Sequence, residues 1–175
     1  MSDEVTPFFT IIITTYNRVD YLKEAVDSVI NQTFKNWILH IVDNSSSDGT
    51  QQFLENLSRG NKRIKFSTVN NDGIIAFSRN FGIKNANTRA ISFLDDDDIW
   101  YCDKLQNDYK ILSKSDGIVY SKCYSFNEES KFLRQLPCRK IPFKNPIYNL
   151  LHYGNIFTTS TVSYSLNHAT KNELF

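Results

Sequence analysis

The stretch Phe93-Leu94-Asp95-Asp96-Asp97-Asp98-Ile99-Trp100 sets four consecutive carboxylates between two apolar segments. Adjacent carboxylates repel one another, and each raises the proton affinity of its neighbours unless water or a cation absorbs the charge. Asp oxygens are hard ligands suited to Mg²⁺ or Mn²⁺, ions that commonly sit between one or two protein carboxylates and the phosphates of a bound ligand. Two further polar clusters accompany them, Thr14-Thr15-Tyr16-Asn17-Arg18 and Asp43-Asn44-Ser45-Ser46-Ser47-Asp48-Gly49-Thr50. Together they suit a metal-bridged diphosphate, because the cation cancels charge on both sides and stabilises the charge that builds on a leaving phosphate. Read only as structure, Asp95 to Asp98 form a solvated turn with Asp98 capping the helix that follows, and Asp43 to Asp48 form an Asx or Ser turn plus a cap. Tyr16 stands open between stacking on a nucleobase and packing at a rim. Arg79 stands open between reaching a phosphate and lying along the surface with its head in water.

The elements that must position these residues follow from periodicity. Phe8 to Thr15 is a continuous apolar and β-branched run, the pattern of a strand buried on both faces. After Asp20, a plausible N-cap, Leu22, Ala25, Val26, Val29 and Ile30 recur at helical spacing. Trp37 to Val42 is a second strand, followed by a helix carrying Phe53, Leu54 and Leu57. Arg63 to Val69, Ile74 to Asn85 and Arg89 to Leu94 continue as strand, helix and strand. This alternation predicts right-handed βαβ units and a mostly parallel sheet with helices on both faces, an α/β three-layer arrangement. Ligands of such sheets gather at strand carboxyl ends, which is where all three polar clusters fall. Beyond Trp100 the pattern is weaker: a helix through Leu105, Tyr109 and Leu112, a strand over Gly117 to Tyr124, a short helix over Ile147 to Leu151, and a strand over Thr159 to Tyr164, with Pro137, Pro142 and Pro146 between.

Composition bounds the rest. The 175 residues fit one domain, with 41% hydrophobic and 14% aromatic residues to fill its core. Twenty Lys and Arg against 19 Asp and Glu give a net charge of +1, so no global field points to nucleic acid or to an anionic membrane. Cys102, Cys123 and Cys138 form no CxxC pair, and His40, His152 and His168 stand at no zinc-finger spacing from them, which reads as reduced cysteines in a cytosolic protein. The apolar run Phe8 to Ile13 is too short to span a bilayer or to serve as a signal peptide. No Gly-rich phosphate loop follows the first strand, which disfavours kinase and dehydrogenase readings, and no Gly-rich basic activation loop supports a nucleotidyltransferase.

Five segments, in order, resemble family 2 glycosyltransferases: Ile11 to Arg18, Ser28-Val29-Ile30-Asn31-Gln32-Thr33-Phe34, Ile41 to Thr50, Ser78-Arg79-Asn80-Phe81-Gly82, and Phe93 to Trp100. The resemblance implies a GT-A type, Rossmann-like fold, a nucleotide-sugar donor, Mg²⁺ or Mn²⁺ at a DXD motif, and transfer with inversion to a glycan or lipid-linked acceptor in surface polysaccharide synthesis. It implies that Thr14, Thr15 and Tyr16 hold the nucleoside, that Asp43 and Asn44 face the base, and that Arg79 lies near the donor. Asp95 and Asp96 would approach the ribose or the metal, and Asp97 is the first choice of metal ligand, with Asp95 beside it. Thr14 stands where many members have Pro, and Asn44 replaces a frequent second acid, whose amide carbonyl can still accept from uracil N3. Uridine is therefore the preferred base.

Residues 1–100 correspond to the nucleotide-sugar half, and 101–175 to part of the acceptor half. Thr159-Ser160-Thr161-Val162 resembles the acceptor-side strand of the family, and Asn172-Glu173-Leu174-Phe175 the run before its acidic base motif. The expectation is a single domain that stops short of the usual catalytic base, so the general base has no residue assigned. Two readings stay open, a glycosyltransferase domain and a non-catalytic nucleotide-binding or interaction module of the same fold. The expected location is cytoplasmic, extending to peripheral association at the inner face of the membrane.

Overall fold

The computed structural model describes residues 6–126, 133–135 and 158–166. The expected alternation is present. Strand β1 (Phe9–Thr15) leads to α1 (Val19–Ile30), β2 (Trp37–Asp43), α2 (Thr50–Gly60), β3 (Ile64–Thr68), α3 (Ile75–Lys84), β4 (Ala90–Asp95) and α4 (Lys104–Leu112). Three short strands follow, β5 (Ile118–Tyr120), β6 (Tyr124–Phe126) and β7 (Leu133–Gln135), then a 3₁₀ turn (Thr159–Thr161) and β8 (Val162–Ser165). The main sheet runs β3-β2-β1-β4-β8-β5. Its first four strands are mutually parallel, and β8 lies antiparallel to both β4 and β5. Strands β6 and β7 form a separate two-stranded ribbon.

Burial on both faces explains why β1 is continuously apolar. Phe9, Ile11 and Ile13 join one core cluster with the α1 stripe of Leu22, Ala25, Val26 and Val29, Leu54 of α2, and Leu105 and Leu112 of α4. Ile12 points the other way, into a smaller cluster with Ile83, Ala86, Ile91 and Leu166. Each fully buried aliphatic side chain of this kind contributes about 1.5–3 kcal/mol. Helices α1, α2 and α4 thus cover one face and α3 the other, giving the three-layer GT-A type sandwich. Helix α3 packs closely: a Cβ built on Gly82 would meet Ile12 Cγ2 at 2.7 Å, so only glycine lets the helix backbone approach the sheet there.

Several boundaries differ from the sequence reading. Helix α1 begins at Val19 with Arg18 in the N-cap position and no side-chain cap from it, so Asp20 is not the cap. The Val19 N–H instead donates to Asp48 Oδ2 at 2.9 Å, a carboxylate borrowed from the loop after β2, and Asp20 pairs with Lys23 at 2.8 Å. Asp98 caps no helix, because α4 starts only at Lys104 with Asp103 before it. The strand expected over Gly117 to Tyr124 ends at Tyr120, and Thr159 to Thr161 form a 3₁₀ turn rather than the start of a strand. The short helix expected over Ile147 to Leu151, the three prolines before it, Cys138, His152 and His168 lie outside the described residues. Among the described residues no helix is long and apolar enough to cross a membrane.

Candidate functional site

The parallel register brings the strand ends together. Thr14 pairs with Val42 on one side and with Asp95 on the other, and Thr15 pairs with Asp43. Over this edge opens a cavity of about 410 Å³ lined by Thr14, Thr15, Tyr16, Asn44, Arg79, Asp95, Asp96 and Asp97, with Arg18, Asn71, Gly73, Ile75 and Ser78. Nearly all the residues singled out from the sequence therefore share one space. The exception is Asp43.

Asp43 is fully buried and does not line the cavity. Its carboxylate accepts the backbone N–H of Ser46 at 3.2 Å and the Ser46 hydroxyl. Ser46 Oγ in turn accepts the Asn17 backbone N–H at 2.8 Å, and Asn17 Oδ1 accepts the Ser47 N–H at 2.7 Å. The loops after β1 and β2 are stitched together this way, with Asn17 and Ser45 both at positive φ, 52° and 56°. Asn tolerates the left-handed region, which suits Asn17, and Ser45 is tied there by its hydroxyl, which donates to the Val69 carbonyl at 3.0 Å. Asp48 completes the seam by accepting from the Thr50 hydroxyl and N–H as well as from Val19. Its slight burial is outweighed by these donors, which hold its carboxyl below the ordinary value.

Asn44 does line the cavity, and its Oδ1 accepts the Asn71 backbone N–H at 2.8 Å. The Asn71 amide reaches on to Ser78 Oγ at 2.9 Å, joining the loop after β3 to the start of α3. Tyr16 is 56% exposed at the mouth, so its ring is open to a planar ligand.

The carboxylates face cations already. Arg79 Nη2 lies 2.7 Å from Asp95 Oδ1. Arg18 Nη1 lies 2.8 Å from Asp97 Oδ2 and 3.3 Å from Asp96 Oδ1. Asp96 beside it raises the Arg18 pKa, while burial of Asp96 pushes that carboxyl up. Asp98 turns away from this cavity: its Oδ2 accepts the Ser160 hydroxyl, and burial pushes its carboxyl up as well. Ser160 Oγ also accepts the Asp95 N–H at 2.9 Å, and the Ser160 carbonyl accepts Trp100 Nε1 at 2.7 Å. One residue of the 3₁₀ turn thus holds both ends of the aspartate turn.

Beyond that turn lies a second cavity of about 470 Å³ with a more apolar lining, including Trp100, Tyr101 and Tyr124, bordered by Asp98, Ser160 and the Lys104–Asp108 pair. Asp97 borders both cavities.

A divalent cation is compatible with the first cavity on its donor chemistry. Asp95 and Asp97 are part-exposed, line the same space and are hard oxygen donors. Among the described residues no group of three or more His, Cys, Asp or Glu is disposed to hold a metal.

Arg18, Asn71 and Ser160 are site residues whose roles no sequence motif reveals. Arg18 lay inside a recognised motif, but nothing in a linear pattern shows which carboxylate it meets. Ser160 was legible only as a strand residue.

The sequence model of the family described as Glycosyl transferase family 2 matches residues 10–175. Curated relatives include a putative teichuronic acid biosynthesis glycosyltransferase, TuaG, of Bacillus subtilis, 33% identical over 106 residues that make up 61% of this chain and 42% of that protein. Another is the UDP-Glc:alpha-D-GlcNAc-diphosphoundecaprenol beta-1,3-glucosyltransferase WfgD of Escherichia coli, 31% identical over 141 residues, 80% of this chain and 55% of that protein. An uncharacterized glycosyltransferase of Rickettsia conorii is 34% identical over 85% of this chain and 22% of its own length. The chain therefore spans between about a fifth and about half of the length of these relatives. Two solved structures share the fold: S. aureus TarS 1-349 in complex with UDP-GlcNAc, with TM-score 0.72 and 22% identity over 96% of this chain and 48% of that one, and the mannosyltransferase PcManGT of Pyrobaculum calidifontis in complex with GDP-Man and Mn²⁺, with TM-score 0.66 and 19% identity over 97% and 47%. With the family match running over nearly the whole chain and the GT-A type sheet beneath it, this chain belongs to glycosyl transferase family 2.

Proposed function

We propose that the chain forms the donor-binding part of a glycosyltransferase that takes a sugar from a UDP-sugar and passes it, with inversion, to a glycan or lipid-linked acceptor in surface polysaccharide synthesis. The observation that carries this reading is the cavity at the strand ends, where an exposed tyrosine, two amides, two arginines and three carboxylates converge. Such a set matches the parts of a nucleotide diphosphate: a planar base, a ribose and a charged diphosphate.

In this reading Tyr16 stacks on the base, with Thr14, Thr15 and Asn44 lining its pocket. Asp43 acts from below, holding the Ser46 turn so that Asn44 keeps its place. Arg79 faces the diphosphate, and Asp95 and Asp96 serve the ribose or the metal. Asp97 and Asp95 hold Mg²⁺ or Mn²⁺, which when bound supplies positive charge against the leaving diphosphate. The second cavity takes the acceptor, since aromatic faces beside carboxylates are what a sugar ring needs for stacking and hydroxyl recognition. That Asp97 borders both cavities supports an acceptor held next to the donor, as displacement at one carbon requires. The UDP-sugar donor and the diphosphoundecaprenol acceptor for which the E. coli relative is named are of the same classes.

The test is a transfer assay with the full-length protein, a panel of UDP-sugars and lipid-linked acceptors, with and without Mn²⁺. Metal-dependent release of UDP that grows on adding acceptor supports the reading. Binding of UDP with neither hydrolysis nor transfer identifies a binding module instead. Asp97→Asn is expected to lose the metal-dependent UDP binding and transfer while leaving the fold intact.

A further inference from the structure

The carboxylates of the donor cavity are already paired with cations of the protein itself. Arg18 bridges Asp96 and Asp97, and Arg79 holds Asp95. Three carboxylates against two guanidinium groups leave a single formal negative charge on this edge. A free divalent cation thus meets carboxylates whose charge is largely cancelled, and it must displace an arginine to gain Asp97 Oδ2. A free diphosphate meets guanidinium groups that are occupied. Neither ligand alone finds a prepared site.

We propose that Arg18 is a resident counter-ion for the metal position, which yields Asp97 to the incoming cation and turns its charge to the diphosphate. Cation and nucleotide would then enter as one unit, and Arg18 would be a positioning residue for both. This rests on the donor reading given above. The build of the residue suits the exchange. Arg18 lines the donor cavity, and its side chain is 51% exposed, against 30% for Arg79. Its backbone is fixed at the head of α1, where its carbonyl accepts the Leu22 N–H at 2.9 Å, but its side chain makes no cap bond. The guanidinium can therefore leave Asp97 without disturbing the helix. Asp97 is 49% exposed and ready to take a ligand, whereas Asp96 is nearly buried and stays with the protein.

A merely structural role for Arg18 predicts that its loss weakens everything. The exchange predicts opposite signs for two ligands, because removing the counter-ion frees Asp97 for the metal but deprives the diphosphate of a charge-assisted hydrogen bond. The test is calorimetry on purified wild type, Arg18→Gln and Arg18→Lys, titrated with MnCl₂ alone and with UDP at saturating MnCl₂. Arg18→Gln is expected to bind Mn²⁺ alone about tenfold more tightly and UDP about tenfold more weakly, the size of one charge-assisted hydrogen bond. Arg18→Lys keeps the charge and stays near wild type for Mn²⁺ alone, and Lys23→Gln, in the exposed pair with Asp20, changes neither affinity. Unaltered or weaker Mn²⁺ binding by Arg18→Gln overturns the proposal, and so does tighter Mn²⁺ binding with unaltered UDP binding. The MnCl₂ arm needs no nucleotide, so absence of UDP binding by wild type would sink the donor reading and leave the counter-ion role judged on its own.

Discussion

Ser160 Oγ accepts the backbone N–H of Asp95 at 2.9 Å, across 65 positions of sequence. The same hydroxyl donates to Asp98, so a turn residue ahead of β8 fixes where the aspartate run begins and where it leaves the cavity at the strand ends. The strand end and the 3₁₀ turn form one device, and the partition of the carboxylates between two cavities depends on it.

Replacing Ser160 with Ala removes the partner of the Asp95 backbone amide and of the Asp98 carboxylate together. The expected cost is about 1–3 kcal/mol of stability, the penalty of leaving such groups unpaired. Urea denaturation reads this directly. Amide exchange should show Asp95 and Asp98 opening faster while β1 is unchanged, and uniform acceleration through the sheet would contradict the local role given to Ser160.

His40 gives the protein a pH dependence of known sign. It is buried, its Nε2 lies 3.0 Å from Ser67 Oγ, and burial, with Lys65 nearby, lowers its pKa to about 4. In the unfolded chain it titrates at about 6.5, so below that pH the unfolded state takes up a proton the native state refuses. Stability from His40 is complete above pH about 6.5 and falls as the pH drops toward about 4, by up to about 3 kcal/mol. Asp96 and Asp98, whose carboxyls burial pushes up, act in the opposite sense on acidification. The difference between wild type and His40→Gln isolates the histidine: between pH 7 and 4.5 wild type should lose more stability than the variant, and parallel curves would refute the assignment.

Lys104 is buried, with its Nζ 2.6 Å from each of Asp108 Oδ2, Ser92 Oγ and Ser163 Oγ, and 4.4 Å from the centre of the Trp100 ring. Burial lowers its pKa, and Asp108 opposes that shift. All three ammonium protons are used, and the pair ties α4 to β4 and β8 beneath the second cavity. Lys104→Met strands Asp108 and should cost about 3–5 kcal/mol, while Lys104→Met with Asp108→Leu should recover most of it. Thermal melts of the two variants check this, and equal loss in both would show that packing rather than charge sets the cost.

The fold was readable because its parallel strands are buried on two faces. Ile12 and its neighbours Ile11 and Ile13 serve different cores, which turns alternation into an unbroken apolar run. The gathering of the clusters was readable for a related reason, since strand ends in such sheets share an edge. What stayed hidden was pairing across that edge. The sequence does not show that Asp48 rather than Asp20 serves the start of α1, or that Asp43 spends its charge on Ser46 instead of facing the cavity. Ser160 was missed for the same reason, because hydrogen bonds over 60 or more positions leave no periodic trace.

The cavity bounded by Tyr16, Arg79 and Asp95 to Asp97 is proposed to receive a uridine diphosphate together with a divalent cation. Calorimetric titration of UDP into the protein, with and without MnCl₂, tests it most directly. The account predicts binding that requires Mn²⁺ or Mg²⁺ and is lost in Asp97→Asn with the fold retained. No heat of binding with any divalent metal, from a protein whose circular dichroism shows it folded, would contradict it.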